Sequence, residues 1–296
     1  MLLVSLYPMW ITSKTCRSSS LITPERIFIQ YGSHKWEPYC INKGIIFPVP
    51  TPFYHIWLAQ DLLDHPSLPQ AARRSLVQHW GAFLFGNTAP DVQVVSGQDR
   101  AATHFFDIPV PVGAVEPWSV MFLDYPGLTS LLPSEQAAFI AVYVCHLLAD
   151  WRWVLEIFAP AFGPGSHWEN FGRRLYLHNV LRAYLDHQLV SQIGSQTSSA
   201  LELVIPDGWL PFVQDHYLCQ WRDLLYPQLR SGAAIATVEV FAARQQVEPD
   251  TYYRLLASEQ RMDEEVFSHL PRQQLADFRQ RLLDESAAIL RLLNLR

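Results

Sequence analysis

The chain of 296 residues is poor in lysine and in charge, and it has no very long apolar run. Its three lysines lie within the first 43 residues and no basic stripe follows, which disfavours an interface for a nucleic-acid backbone. Charged residues make up only 17%, but no stretch reaches the roughly 18 consecutive apolar residues of a spanning helix, so we expect no transmembrane segment. The richest apolar run, residues 137–148, is typical of a buried core helix.

Several catalytic signatures are also missing. The chain has no Cys-x2-Cys pair, no Gly-x4-Gly-Lys-Ser/Thr loop and no Gly-x-Ser-x-Gly elbow. A metal phosphohydrolase built on adjacent His-Asp dipeptides is disfavoured, because only the reverse order, Asp-His, occurs. Strict two-residue alternation is essentially absent, whereas apolar residues recur with helical spacing over most of the chain. These patterns predict an all-α protein.

Composition changes abruptly near residue 44. Residues 1–44 carry five basic and two acidic residues, whereas the remainder carries 17 arginines, no lysine and 26 acidic residues. The change predicts that residues 1–46 are a poorly ordered extension or leader. Because neither a basic n-region nor a convincing cleavage site is present, we expect a cytoplasmic protein. Secretion is the alternative if residues 1–44 are a leader.

Helix start and stop signals divide the remaining chain. Thr51 as a cap and Pro52 at the first helical position predict a first helix that ends near Asp64. Further helices are predicted over residues 70–85, 134–158, 168–193, 211–229, 233–246, 251–270 and 272–293. Residues 194–200 resemble a polar linker between a helical core, residues 47–194, and C-terminal accessory helices, residues 195–296, that pack on it.

The central predicted helix carries His146 and Asp150, which lie four residues apart and so share one helical face. Burying an imidazole and a carboxylate there is costly unless something binds them, and a divalent metal is a common binder. Two further ligand-type residues lie upstream in loop-like contexts, Asp91 after Gly-Asn-Thr-Ala-Pro and His104 before Phe-Phe-Asp. Together they form a zinc-type ligand set, so we expect a multi-helix globular bundle around a buried metal site.

The order of these residues, with His55 in the first turn of the first helix, resembles the zinc-dependent phospholipase C and single-strand-specific nuclease superfamily. That family has an all-α fold with a metal cluster. The resemblance covers about residues 50–190 and includes Gly-x3-Pro-Asp around Asp91, His-Phe at His104, and the helical pair. It implies one zinc ion held by Asp91, His104, His146 and Asp150. It also implies that Asp150 bridges to a second ion near His55 and that Asp91 acts as general base.

The activity implied by this resemblance is zinc-dependent hydrolysis of a phosphoester, in which a metal-activated water attacks phosphorus. The partner would be a phosphoester substrate, with a phospholipid head group, a nucleotide and a small phosphoester all consistent with that chemistry. The number of zinc ions lies between one and three. Oligomeric state is not determined by the sequence.

The chain also departs from the family pattern. Pro-Phe-Tyr precedes His55, where the family uses a mature amino-terminal tryptophan as a ligand. No histidine closely follows the helical pair, and His178 is followed four residues later by Arg182 instead of a carboxylate. The residues left to form an additional metal site are Glu156, His178 and Asp186.

These departures leave two other classes of function open. One is a non-catalytic helical protein that keeps a single structural or regulatory metal at the four ligands. A closed site without an open position for water would favour it. The other is a purely structural helical interaction domain, for which the order of the ligand-type residues would be a coincidence.

Overall fold

The computed structural model describes residues 48–194, 196–230, 233 and 235–293, and these residues form helices and no strand. The predicted all-α class is therefore confirmed. The extension predicted over residues 1–46 lies outside the described residues. The α-helices are α1 (Pro52–Asp64), α2 (Gln70–Gln78), α3 (Trp80–Gly86), α4 (Gln93–Ser96), α5 (Ala101–His104), α6 (Pro117–Asp124), α7 (Ser134–Trp153), α8 (Phe171–Leu189), α9 (Gln196–Glu202), α10 (Asp215–Leu225), α11 (Thr237–Gln245), α12 (Pro249–Leu256), α13 (Glu259–Met262) and α14 (Arg272–Leu292).

Shorter helices of other types join or extend these elements. The 3₁₀ helices are Ala89–Val92, Pro126–Thr129, Val190–Gln192 and Tyr226–Leu229. The chain continues α7 as a π-helix, Val154–Phe162, and α13 as a second one, Asp263–Phe267. Pro160 lies inside the first π-helix, where a proline cannot donate the backbone hydrogen bond that a regular helix requires.

Three predicted segments differ in the structure. The helix predicted over residues 251–270 is divided into α12, α13 and the second π-helix, because the backbone at Ser258 is extended (φ −118°, ψ 101°). The helix predicted over residues 70–85 is two helices, because the backbone at His79 departs from helical geometry (φ −109°, ψ 47°). The predicted linker over residues 194–200 is largely α9, which packs against α3. Gly81 permits this contact, since a Cβ there would lie 2.7 Å from the carbonyl oxygen of Ala200. Packing against α3 therefore stabilises a helix here, although the segment has few apolar residues.

Helix α7 lies at the centre of the fold. It packs against α3, α6 and α14, and the large hydrophobic core includes residues from α1 through α14. The helical stretch Ser134–Phe162 is long and apolar enough to cross a membrane, with a mean hydropathy of 1.4 over its best window. However, 89% of that window is buried inside the fold, as is typical of a core helix.

Helix α8 is the second buried axis of the molecule. It packs against α1, the first π-helix, α11 and α12. Asn170 caps its first turn by accepting a hydrogen bond from the backbone N–H of Arg173 at 2.8 Å. Helices α7 and α8 therefore place two sets of polar side chains in the interior.

Candidate metal centre

Four separate segments bring the predicted ligands together. His55 lies in the first turn of α1, whose start is fixed by Thr51, which accepts a hydrogen bond from the backbone N–H of Tyr54 at 3.2 Å. Asp91 lies on the 3₁₀ helix that follows α3, and His104 ends α5. Close packing of α3 on α7 positions the 3₁₀ helix that carries Asp91. Gly86 is required there, because a Cβ would collide with the carbonyl oxygen of Phe139.

Left-handed backbone ends the short helix that carries His104. Phe105 has φ 61°, a conformation that disfavours a bulky residue. Its ring is held in edge-to-face contacts with Tyr125 and Phe212, at centroid distances of 6.2 and 5.1 Å. This packing offsets the backbone cost and directs the preceding histidine inward.

The side chains converge on Asp150. Its Oδ2 lies 3.3 Å from Nε2 of His104 and 3.6 Å from Nε2 of His146, and its Oδ1 lies 3.2 Å from Nε2 of His55. The Nε2 atoms of His104 and His146 are 3.4 Å apart, and Oδ1 of Asp91 lies 3.6 Å from the former. We call these five side chains the acceptor cluster.

The outer nitrogens of two histidines fix their tautomers. Nδ1 of His146 lies 2.7 Å from the backbone oxygen of Asn87, which can only accept, so Nδ1 carries the proton. Nδ1 of His104 lies 3.0 Å from the hydroxyl of Thr103, which donates to the carbonyl of Arg100 and therefore accepts from the ring. In the neutral rings, both Nε2 atoms thus present lone pairs to the centre.

These lone pairs and carboxylates repel one another unless a cation lies between them. A tetrahedral zinc ion with bonds of about 2.0–2.1 Å has ligand-to-ligand edges of about 3.4 Å. The edges that join His104 to Asp91, His146 and Asp150 measure 3.6, 3.4 and 3.3 Å, and that from His146 to Asp150 is 3.6 Å. The buried histidines and aspartates could therefore hold a metal ion.

Two groups of three side chains have ligand atoms close enough for this task. They are His55, His146 and Asp150, and Asp91, His104 and His146. Both groups use His146, whose Nδ1 is already hydrogen-bonded, so only its Nε2 is available to an ion. His55 stacks on that ring at a centroid distance of 3.8 Å and contacts Asp150. The two groups therefore share one ligand atom, and His55 belongs to one of them.

Arg100 is a member of the site that the ligand pattern did not reveal. Its Nη2 donates to Oδ2 of Asp150 at 2.6 Å, and its guanidinium lies 4.4 Å from the ring centroid of Phe106. Arg100 lies four residues before His104, at the start of α5. That spacing is the only sequence signal that links it to the site. A buried arginine is compensated here by a carboxylate that also faces three histidines.

Burial and mutual charges shift the pKa values of the cluster. Burial alone would raise the pKa of Asp150, but the charge on His146 and contacts with His104 and His55 hold it well below its usual value. Burial would lower the pKa of His146, but the Asp150 charge outweighs it and the pKa is raised. Burial and the nearby His146 lower the pKa of His55 to about 4. Burial and the mutual charges of these groups thus act on their pKa values in opposite directions.

Access to the cluster is limited. The side chains of His104 and Asp150 are 0% exposed, whereas that of Asp91 is 10% exposed. A small cavity borders His55 and is otherwise lined mainly by apolar residues of α1, α7 and α14. Among His104, Asp150 and Asp91, only Asp91 has a side chain with measurable exposure.

The three residues predicted for an additional metal site lie apart from this cluster, and none joins a group among the described residues that could hold a metal. Glu156 is partly exposed and pairs with Arg281 at 2.7 Å. His178 is fully buried among aromatic rings and accepts a hydrogen bond at 2.9 Å from Nε1 of Trp153. Asp186 accepts hydrogen bonds from the hydroxyls of two threonines, one at each side of α8.

Comparison of the chain with protein-family models, with curated proteins and with solved structures gave no significant match. The function must therefore be inferred from the chemistry of the side chains. The main observation is a buried group of histidines and aspartates that could hold a metal ion, in which His104, His146 and Asp150 lie 3.3–3.6 Å apart and Asp91 lies 3.6 Å from His104.

Proposed function

We propose that the chain is a zinc-dependent hydrolase of phosphoesters. One ion would be held by Asp91, His104, His146 and Asp150. The observation that carries the proposal is the convergence of two Nε2 lone pairs and two carboxylates at distances of 3.3–3.6 Å. Zinc is chosen because two imidazoles and two carboxylates suit it better than they suit magnesium or calcium, which prefer oxygen ligands alone.

The bound cation would supply Lewis acidity, which stabilises negative charge that develops on a phosphoryl group. Asp91 is the most exposed of the four ligands, and its carboxylate is the group placed to accept a proton from an attacking water. Arg100 holds the carboxylate of Asp150 at 2.6 Å, and Thr103 holds the ring of His104. Both contacts keep the ligands oriented before any substrate arrives.

A second candidate is a non-catalytic protein with one structural metal. The observation that favours it is the burial of the ligands: His104, His146 and Asp150 are 0% exposed. A structural zinc usually has four protein ligands, whereas a catalytic one keeps an open position. Under this alternative, the ion would contribute to folding and Asp91 would be a ligand only.

Metal analysis of the purified full chain tests the proposal. We expect about one equivalent of zinc in the wild type, loss of the metal in His146→Ala, and retention in the control His216→Ala, whose ring is exposed on α10. Hydrolysis of a chromogenic phosphodiester and a phosphomonoester is then compared between the wild type and Asp91→Asn. We expect a loss of at least about 10²-fold in rate when the proton acceptor is removed.

The possible outcomes separate the two candidates. Zinc with hydrolysis that depends on Asp91 supports the hydrolase. Zinc without hydrolysis of either ester, together with a lower melting temperature after chelation, supports the structural metal. A folded wild type that takes up no metal, even when zinc is supplied in excess, contradicts both.

A further inference from the structure

A second polar region lies where α8 packs against α11. Arg182 of α8 is only 6% exposed, and Nη1 of its guanidinium donates to Oδ1 of Asn179 at 3.1 Å. The guanidinium also lies 4.4 Å from the ring centroid of Phe241. An amide oxygen and an aromatic face are neutral partners. Among the described residues, Arg182 has no ion pair, which is unusual for a buried arginine.

Three donor groups in this region have no acceptor among the described residues. They are Nδ2 of Asn179, Nε of Arg182 and Nε of Arg244. The hydroxyl of Tyr252, which donates to Oε1 of Gln245, is the polar group that interacts with the side chain of Asn179. Asn179 and Arg182 are three residues apart on α8, as are Phe241 and Arg244 on α11, so each pair shares a helical face. We call Asn179, Arg182 and Arg244 the donor cluster. A buried donor without an acceptor costs stability, and a buried cation without a counter-ion costs more.

Electrostatics place the donor cluster beside the acceptor cluster. Burial and the nearby charge of Arg244 lower the pKa of Arg182 to about 10, so the two arginines are close enough to repel each other. The charge of Asp186, and after it those of Asp91 and Asp150, act on the pKa of Arg182 in the opposite direction, and Asp91 also acts on that of Arg244. The two arginines thus lie within electrostatic range of the carboxylates that form the proposed metal site.

The nearest carboxylate on α8 does not fill this role. Asp186 accepts hydrogen bonds from Thr51 and, at 2.5 Å, from Thr237, so both of its oxygens are occupied. Burial raises its pKa to about 7, although both hydrogen bonds and the charge of Arg182 oppose the rise. A carboxyl group that is partly protonated at neutral pH is a poor counter-ion for two arginines.

We infer that Asn179, Arg182 and Arg244 bind an oxyanion of the phosphate type. The inference rests on the proposed function, because it assigns the donor cluster to the phosphoryl oxygens of the substrate. Guanidinium groups present forked N–H donors that match two oxygens of a tetrahedral phosphate, and an amide N–H₂ supplies a further donor. An anion held there would also neutralise the repulsion between the two arginines.

Titration with inorganic phosphate tests the site directly. The full chain is first stripped of metal, so that binding reports on the donor cluster alone. By calorimetry, we expect the wild type to bind phosphate and the variants Arg182→Met and Arg244→Met to bind it at least about tenfold more weakly. The matched control is Arg254→Met, since Arg254 is exposed on α12 and pairs with Asp250 at 3.1 Å.

A substitution on Asn179 distinguishes an anion site from a merely structural contact. Asn179→Asp keeps the shape of the side chain and supplies the missing negative charge next to Arg182. We therefore expect this variant to melt at a higher temperature than the wild type in phosphate-free buffer and to lose the increase that phosphate gives the wild type. Arg182→Met is expected to melt no lower than the wild type without phosphate, because it removes an uncompensated buried charge.

Two ester probes distinguish possible sources of the phosphate. Binding of glycerol phosphate but not dimethyl phosphate assigns the site to a terminal phosphate, whereas binding of both assigns it to phosphodiesters as well. The inference is wrong if phosphate binding by the metal-free chain is absent, or is equal in the wild type and in Arg182→Met.

Metal content, measured on the same samples before stripping, separates this result from the proposed function. Binding that depends on the arginines in a protein that takes up no zinc supports the oxyanion site and contradicts the hydrolase. Zinc uptake with no arginine-dependent binding contradicts the oxyanion site and supports a metal site at the acceptor cluster.

Discussion

Helices α7 and α8 each place a histidine four residues before a charged residue, but the two pairs have opposite surroundings. On α7, His146 and Asp150 face further acceptors, and Arg100 is the cation that pairs with Asp150. On α8, His178 accepts a hydrogen bond from Trp153, while Arg182 lies among donors without acceptors. The same spacing therefore lies among residues that could hold a metal ion in one helix and among donors without acceptors in the other.

The difference shows that helical spacing decides only which side chains share a face. Whether a buried histidine is a ligand depends on what the neighbouring helices place against it. Nε2 of His146 meets another nitrogen and a carboxylate oxygen, whereas Nε2 of His178 meets an indole N–H at 2.9 Å. The first contact leaves a lone pair available to a metal, and the second uses the lone pair in a hydrogen bond.

The largest expected effect comes from removing the carboxylate at the centre of the acceptor cluster. Asp150→Ala deletes the group that binds Arg100 at 2.6 Å and that compensates His146, so we expect a loss of roughly 3–5 kcal/mol in the free energy of unfolding. Urea unfolding measures it. The control Asp250→Ala removes an exposed carboxylate and should change stability by less than about 1 kcal/mol. Equal effects of the two substitutions would contradict a charge-compensated centre.

The next effect concerns the pH dependence near α8. The pKa of Asp186 in the folded protein, about 7, lies above its ordinary value of 3.8 because the group is buried. The folded state therefore binds this proton more tightly than the unfolded state, and stability falls as the pH rises from about 4 to 7. Asp186→Asn mimics the protonated carboxyl. It should remove this fall and stabilise the protein at pH 8 by roughly 2–4 kcal/mol.

Unfolding midpoints measured from pH 4 to pH 8 check this expectation, with Asp250→Asn as the exposed control. If Asp186→Asn is less stable than the wild type at pH 8, the carboxylate is ionised and useful in the folded protein. The donor cluster would then have a counter-ion close by on the same helix, and the contrast between α7 and α8 would be weaker.

A smaller effect should follow from deleting a hydrogen bond that orients one ligand while the ligand itself is kept. Thr103→Val deletes the hydroxyl that accepts from Nδ1 of His104 at 3.0 Å, so the ring is no longer held in the tautomer that presents Nε2. Loss of such a contact typically weakens metal affinity by about 10–100-fold. Competition with a chromogenic chelator measures the affinity. Thr129→Val, which alters an exposed hydroxyl, should leave it unchanged; unchanged affinity in both variants would argue that His104 is not a ligand.

The smallest effect is expected outside both clusters. Glu156→Gln changes a partly exposed residue that pairs with Arg281, and we expect no change in metal content and a loss of about 0–1 kcal/mol in stability. Metal analysis beside urea unfolding tests both expectations. A loss of metal in this variant would revive a metal site that includes Glu156 and would contradict the proposed single-ion site.

The fold class and much of the helical pattern were predictable from local chemistry. The cap formed by Thr51 and Pro52, and the apolar run that became α7, depend on residues close together in the chain. The break at His79 and the helix α9 were not predictable in this way. Helix α9 forms where it packs against α3 over Gly81, and there contacts between distant residues outweigh local preference.

By itself, the sequence determined that the protein is helical and that His146 and Asp150 share one face of a buried helix. It also supplied Asp91, His104 and His55, but not the distances among them. Only the tertiary structure decided that these side chains lie close together, that Arg100 joins them, and that Arg182 lies among hydrogen-bond donors without acceptors. The physical reason is that charge balance in a protein interior depends on every helix that packs there, and sequence spacing describes one helix at a time.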